Sequence, residues 1–146
     1  MTTENKTLLH FQTDWERLVY KGYADYNSLT RDERVWFNIE GLIGDVDNGG
    51  LISHYYNSGA DLNSETIEDL IFLGFDDIAN LLKEINQLFP NNQPSKDIDE
   101  RNEVISNWPD EKYGFRLYEI DQIFFDRENE LEQKLIQHIE CKILRN

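Results

Sequence analysis

The chain lacks most of the features that would fix a fold or a chemistry outright. It has one cysteine, Cys141, so no disulfide can close within it, and a lone thiol suits a reducing compartment. No run approaches the ~18 apolar residues that a membrane span needs, and Met1 to Lys6 carry no apolar stretch behind a basic start. The expectation is a cytoplasmic protein with no membrane partner. Positive charge is also scarce: 14 Lys and Arg stand against 29 Asp and Glu, a formal net charge of -15. Neutralising phosphates requires clustered cations, so direct binding to nucleic acid is disfavoured and a basic protein is the expected partner.

Catalytic and cofactor signatures are missing too. There is no GxxxxGK[ST] loop and no GxGxxG turn to cradle phosphates. The three histidines are His10, His54 and His138. Ser53 and His54 are adjacent and point to different sides of one short element, unlike a nucleophile and its base. His138 and Cys141 offer two metal ligands where a closed zinc site needs four. Asp45, Asp47 and Gly50 match positions 1, 3 and 6 of a calcium loop, but Gly49 stands at position 5 and Tyr56 at position 12, where a bidentate glutamate belongs. No catalytic residue, cofactor or metal site is therefore expected. A metal-dependent enzyme built on Asp45, Asp47 and His54 is the weakest of the alternatives.

What the chain does have is helical patterning throughout 146 residues, a length suited to one hydrophobic core. Asp14 is placed to cap a first helix to about Tyr26. Thr30 and Glu33 form a capping box ahead of Val35, Trp36, Ile39, Leu42, Ile43 and Val46, a helix that must end at Asn48-Gly49-Gly50. Leu51 to Asn57 reads as a short helix. Ser64 then caps a helix that meets another at Gly74, and this second one runs to Pro90. Residues 90–95 form a surface loop, Asp97 to Trp108 a short acidic helix, Pro109 to Gly114 a turn, and Leu117 to Leu144 a long or broken helix. The one strand candidate, Tyr113 to Tyr118, is too short to change the class. The expectation is a single all-α domain over 1–146, with six to seven helices and a glycine turn after the second.

Several segments resemble a known family. They are Arg34-Val35-Trp36, Asp45-Val46-Asp47-Asn48-Gly49-Gly50-Leu51, Tyr55-Tyr56-Asn57-Ser58, Leu73-Gly74-Phe75-Asp76-Asp77-Ile78-Ala79 and Ile120-Asp121-Gln122-Ile123-Phe124-Phe125. Together they are similar to the bacterial DNA-mimic protein family of the nineteen-kilodalton type, over roughly residues 30–143. Asp45 and Leu51 stand where that family's pattern leads us to expect glutamate and phenylalanine. The resemblance implies an all-helical fold, no catalysis, and a homodimer that competes with DNA for a DNA-binding protein. Within the motif, Asp45, Asp47, Asn48, Gly49, Gly50, Tyr55, Tyr56 and Asn57 read as scaffold: the glycines for the turn, the tyrosines for packing, Asn57 as a cap.

The working surface is expected among the acids. Glu65, Glu68 and Asp69, then Glu100 and Glu103, then Asp126, Glu128, Glu130 and Glu132 include pairs at i, i+3 or i, i+4, where Cβ atoms are about 5–6 Å apart. Stability alone would not choose such like-charge neighbours, whereas rows of carboxylates at roughly the phosphate spacing suit Arg and Lys sites built for DNA. Against this, Arg31, Arg34, Arg101, Arg116 and Arg127 interrupt the acidic field. An immunity-type protein that neutralises a cognate toxin is the alternative with the same charge and size.

Overall fold

The fold is organised around α2, Arg31–Gly49, which buries Val35, Trp36, Ile39, Leu42, Ile43 and Val46 along one stripe. Its start is the capping box read from sequence: Thr30 Oγ1 accepts the Glu33 N–H at 3.2 Å, and Glu33 Oε1 accepts the Thr30 N–H at 2.9 Å. The computed structural model describes residues 6–144. Among them the order is a 3₁₀ turn Leu8–Phe11, α1 Gln12–Ala24, a turn Tyr26–Ser28, α2, α3 Ile52–Tyr56, a 3₁₀ turn Ser58–Leu62, α4 Asn63–Phe72, α5 Asp76–Asn86, α6 Ile98–Ser106, α7 Asp110–His138 and a π-helical turn Ile139–Ile143. No strand occurs among the described residues, so the all-α expectation holds with seven helices.

Helix α2 packs against α1, α3, α4 and α7, and the two glycine stops give the chain its reversals. At the first, Gly50 sits at φ +84 and closes α2, its N–H bonding Val46 O at 2.8 Å. At the second, Gly74 at φ +90 lets α4 and α5 fold back on each other, with the Phe75 N–H reaching Leu70 O at 2.8 Å. The hairpin expected at this glycine is present. The loop after α5 turns on Asn91 and Asn92 at φ 59 and 58, a left-handed conformation that asparagine tolerates.

Several element ends differ from the sequence reading, among them that of α5, which stops at Asn86 and not at Pro90. Asp14 lies in the first turn of α1 and not at its cap, because the preceding 3₁₀ turn already winds the chain through Phe11. Ser64 lies inside α4 for the same reason, since Ser58–Leu62 leads straight into Asn63. The segment from Pro109 is neither turn nor strand: α7 starts at Asp110, with Asp110 and Glu111 in its first turn, and runs through Gly114 without a break. Carboxylates at a helix start offset the amide dipoles there, and a glycine costs a long helix only about 1 kcal/mol.

The turn after α2 is locked to α7. Asp121 Oδ1 accepts the Leu51 N–H at 2.8 Å, and a Cβ on Gly50 would stand 2.4 Å from Asp121 Oδ2. Gly50→Ala therefore meets both an unfavourable backbone angle and a clash. Urea denaturation should show a loss of roughly 2 kcal/mol or more, with an unchanged m-value.

Candidate partner-binding surface

Arg101 decides how α6 sits, although the sequence placed it among surface charges. Its side chain is fully buried, and its guanidinium grips four oxygens: Nε donates to Tyr55 O at 3.0 Å, Nη1 to Asp61 Oδ1 at 2.7 Å and Ser95 O at 2.8 Å, and Nη2 to Asn57 O at 2.8 Å. Three of these are main-chain carbonyls around the end of α3 and the loop before α6. With Arg101 and Ile105 held inward, a period of about 3.6 residues per turn turns Asp99, Glu103 and Ser106 outward, with Glu100 beside them.

Further exposed acids stand just before and just after α6 in the chain. Asp97 caps α6 by accepting the Asp99 N–H at 2.9 Å, and Asp110 and Glu111 open α7. Asp97, Asp99, Glu100, Glu103, Asp110 and Glu111 are all exposed, and none forms an ion pair with a described residue. Lys96 and Lys112 flank these acids in the chain, and Lys112 Nζ lies over the Tyr113 ring, 5.4 Å from its centroid, in cation–π range. Asp99 stands at i, i+4 from Glu103 and Asp97 at i, i+3 from Glu100, so the spacing rule could have found both, whereas Asp110 and Glu111 were passed over because Pro109 to Gly114 was read as a turn. Their positions at helix starts were the available signal.

The other arginines that seemed to break the acidic field are largely spent inside it. Arg34 Nη2 holds the fully buried Asp69 at 2.7 Å and Glu68 at 3.3 Å, Arg116 grips Glu84 at 2.6 Å, and Arg127 joins Asp77 at 2.7 Å and Glu130. Arg31 stays exposed over the Phe72 ring, with Nη2 3.7 Å from Asp69 Oδ1.

Of the nine carboxylates expected at a partner surface, Glu100, Glu103 and Asp126 are exposed and without an ion pair to a described residue, and Glu68 and Glu130 are exposed but paired. Glu65 is half-buried. Asp69 is corrected inward, and Glu128 and Glu132 are half-buried like Glu65. Asp69 is enclosed between α2 and α4, where Asn38 Nδ2 also donates to it at 2.9 Å; Glu132 accepts the Leu8 N–H at 2.9 Å; and Glu128 leaves its Oε1 buried and without a hydrogen-bond partner. Alternation along a helix cannot tell a solvent-facing acid from one that a neighbouring element covers.

The half-buried acids shift accordingly. Burial first, then the carboxylates of Asp47 and Glu132, push Glu128 up to about 8. Burial pushes Glu40 up to about 7, against the indole N–H of Trp36, which donates to it at 2.9 Å.

The scaffold motif falls where its residues can build the turn. Asp45 is half-buried and accepts from Asn57 Nδ2 at 3.0 Å; Asp47, Asn48 and Gly49 lie exposed at the end of α2; Asn57 closes α3 and offers its carbonyl to Arg101. Tyr55 is fully buried, stacked on Phe89 at 5.5 Å, whereas Tyr56 is 44% exposed and lies outside the core. His54 and Asp45 line one cleft, but Asp47 does not, and no group of three or more His, Cys, Asp or Glu among the described residues could hold a metal ion. No helix among the described residues is long and apolar enough to cross a membrane.

A protein-family model described as DMP19-like protein matches residues 27–142. Neither the curated proteins nor the solved structures yield a match.

Two stability measurements follow from these contacts. Arg101→Met removes the donors to Tyr55 O and Ser95 O, leaves Asn57 O with only the Ala60 N–H at 3.3 Å, and should cost about 3–5 kcal/mol in denaturant unfolding. For Glu128 the folded value lies above the unfolded one, so its contribution to stability is fully present below about pH 4.5 and lost as pH rises through about 8. Glu128→Gln should therefore raise Tm at pH 8 and leave the melting curve at pH 4 unchanged.

Proposed function

The chain belongs to the DMP19-like protein family, and from that premise we propose that it is a non-enzymatic cytoplasmic protein whose acidic face occupies the basic site of a DNA-binding protein. The observation that carries this reading is the set of exposed carboxylates on and beside α6, Asp97, Asp99, Glu100, Glu103, Asp110 and Glu111, with Arg101 of the same helix buried. On α6, Glu100 and Glu103 are one turn apart, where neighbouring Cβ atoms are about 5–6 Å from each other. Arginine forks bind carboxylates as they bind phosphates, through paired charge-assisted hydrogen bonds. A protein surface that holds a DNA strand is thus equipped to hold such carboxylates.

Helix-start stabilisation accounts for Asp97, Asp99, Glu100, Asp110 and Glu111 on its own. It does not account for Glu103, which lies beyond the first turn of α6 and gains nothing from the dipole there. Crowding it against Glu100 costs the helix a few tenths of a kcal/mol, so the favourable use of that pair is with a cationic partner.

The test is competition. DNA-binding proteins from the same cell, each bound to labelled DNA, are titrated with this protein at several salt concentrations. Displacement is expected for a cognate partner, weakening steeply as salt rises. The triple variant Asp99→Asn, Glu100→Gln, Glu103→Gln should compete about tenfold or more less well and with a shallower salt dependence, while Glu16→Gln with Asp25→Asn competes like the parent. If the triple variant competes as well as the parent, or if no DNA-binding protein is displaced at low salt, the proposal is wrong.

A further inference from the structure

Helix α7 carries two apolar faces where a surface helix ordinarily carries one. Ile120 and Phe124 point inward and are buried. Phe115, Tyr118 and Phe125, spaced i, i+3, i+10, fall within an arc of about 80° on the opposite side of the helix. They are 75%, 62% and 44% exposed, so no described element covers them. Gln122 continues the line between Tyr118 and Phe125, and from Phe115 to Phe125 the ridge rises about 15 Å along the helix axis. Rings left in water on a helix whose other face already packs the core add little to the fold, and an apolar patch of this kind marks a surface that binds.

The ridge is edged by acids. Glu111 stands at its head, on the same side as the rings, and Glu119 and Asp126 run along one flank two turns apart; all three are exposed. Glu111 and Asp126 form no ion pair with a described residue, and Glu119 has only Arg116 Nη1 at 3.6 Å. The cations of this segment are engaged elsewhere. Arg116 forks onto Glu84 at 2.6 and 2.8 Å, Arg127 holds Asp77 at 2.7 Å, and Lys112 lies over Tyr113. An approaching molecule therefore meets rings in the middle and carboxylates at head and flank.

Charge decides what can sit there. A second copy would set these acids against the same acids, on two chains of formal net charge -15 each. A nucleic-acid duplex presents phosphates outward and is repelled for the same reason. A ridge of side chains on one helix packs into the grooves of another, and a helix with an apolar stripe bordered by Lys and Arg matches both the rings and their acidic edge. We infer that the outer face of α7, from Glu111 to Asp126, docks an amphipathic helix of a basic partner protein, its apolar stripe on Phe115, Tyr118 and Phe125 and its cations on Glu111, Glu119 and Asp126. This docking surface extends past the acids around α6, and its test involves neither DNA nor a DNA-binding protein, so the two readings fail separately.

The full-length protein is titrated with a leucine–lysine peptide patterned as an amphipathic helix, with a peptide of the same composition whose order scatters the leucines around the helix, and with the leucine–glutamate counterpart of the first. The ring signals of Phe115, Tyr118 and Phe125 are followed by NMR. A saturable shift of these rings is expected for the patterned leucine–lysine peptide, with binding about tenfold or more weaker for the scattered order and none for the leucine–glutamate peptide. Phe115→Gln with Tyr118→Gln, a good helix former at exposed positions, should weaken the patterned peptide about tenfold or more and leave the thermal midpoint within a few degrees of the parent. Glu119→Gln with Asp126→Asn should weaken it and flatten its salt dependence, and this pair decides the matter should the aromatic variant fail to fold. Asp99→Asn with Glu100→Gln and Glu103→Gln should leave the ring shifts in place. Sedimentation of the parent and the aromatic variant should give the same oligomeric state. A parent dimer that the aromatic variant dissociates would make this face a contact between copies and overturn the assignment. So would equal binding of the patterned and scattered peptides, binding of the leucine–glutamate peptide, undiminished binding by the aromatic or the charge variant, or no saturable ring shift.

Discussion

A charge taken out of water has to be met by hydrogen bonds on every side, and the packing of α6 depends on how Arg101 meets that demand. Its partners are mostly main-chain carbonyls, contributed where α3 ends and where the loop enters α6. Those carbonyls have few other donors, because a helix end leaves them unpaired. Arg101 therefore does for this junction what a cap does for a single helix, across segments more than forty residues apart in the chain. The same insertion orients α6, so the exposed acids are a consequence of what is buried beneath them.

Much of the framework was legible because its signals are local. The Thr30–Glu33 capping box, the stop at Gly50 and the reversal at Gly74 each rest on a few adjacent residues whose chemistry allows little else. The resemblance carried by Asp45 to Asn57 agrees with the DMP19-like family match over residues 27–142. Where the reading failed, a neighbour had changed the meaning of a residue. Asp14 and Ser64 are ordinary capping residues that found the chain already wound, and Gly114 is an ordinary breaker carried through by the length of α7.

The polar interior was the least legible part. Arg101, Asp69 and His54 are residue types that are mostly at the surface or only partly buried, and no spacing in the sequence distinguishes them from their exposed counterparts. Each is buried through a partner distant in sequence: Arg101 with Asp61, Asp69 with Arg34, His54 with Asn63. Counting acids against bases thus misjudged the surface in both directions. It left Arg101 among the surface charges although it is buried, and it counted Asp69 toward a face from which it is withdrawn.

Glu40 and Glu128, raised to about 7 and about 8, make the folded protein a weak acid in neutral water. Both hold part of their protons there, so the folded molecule carries less negative charge than its formal -15. Its charge is therefore adjustable: a cation brought close to these groups favours release of their protons, and a shift in pH between 6 and 8 alters the field around α2 and α7.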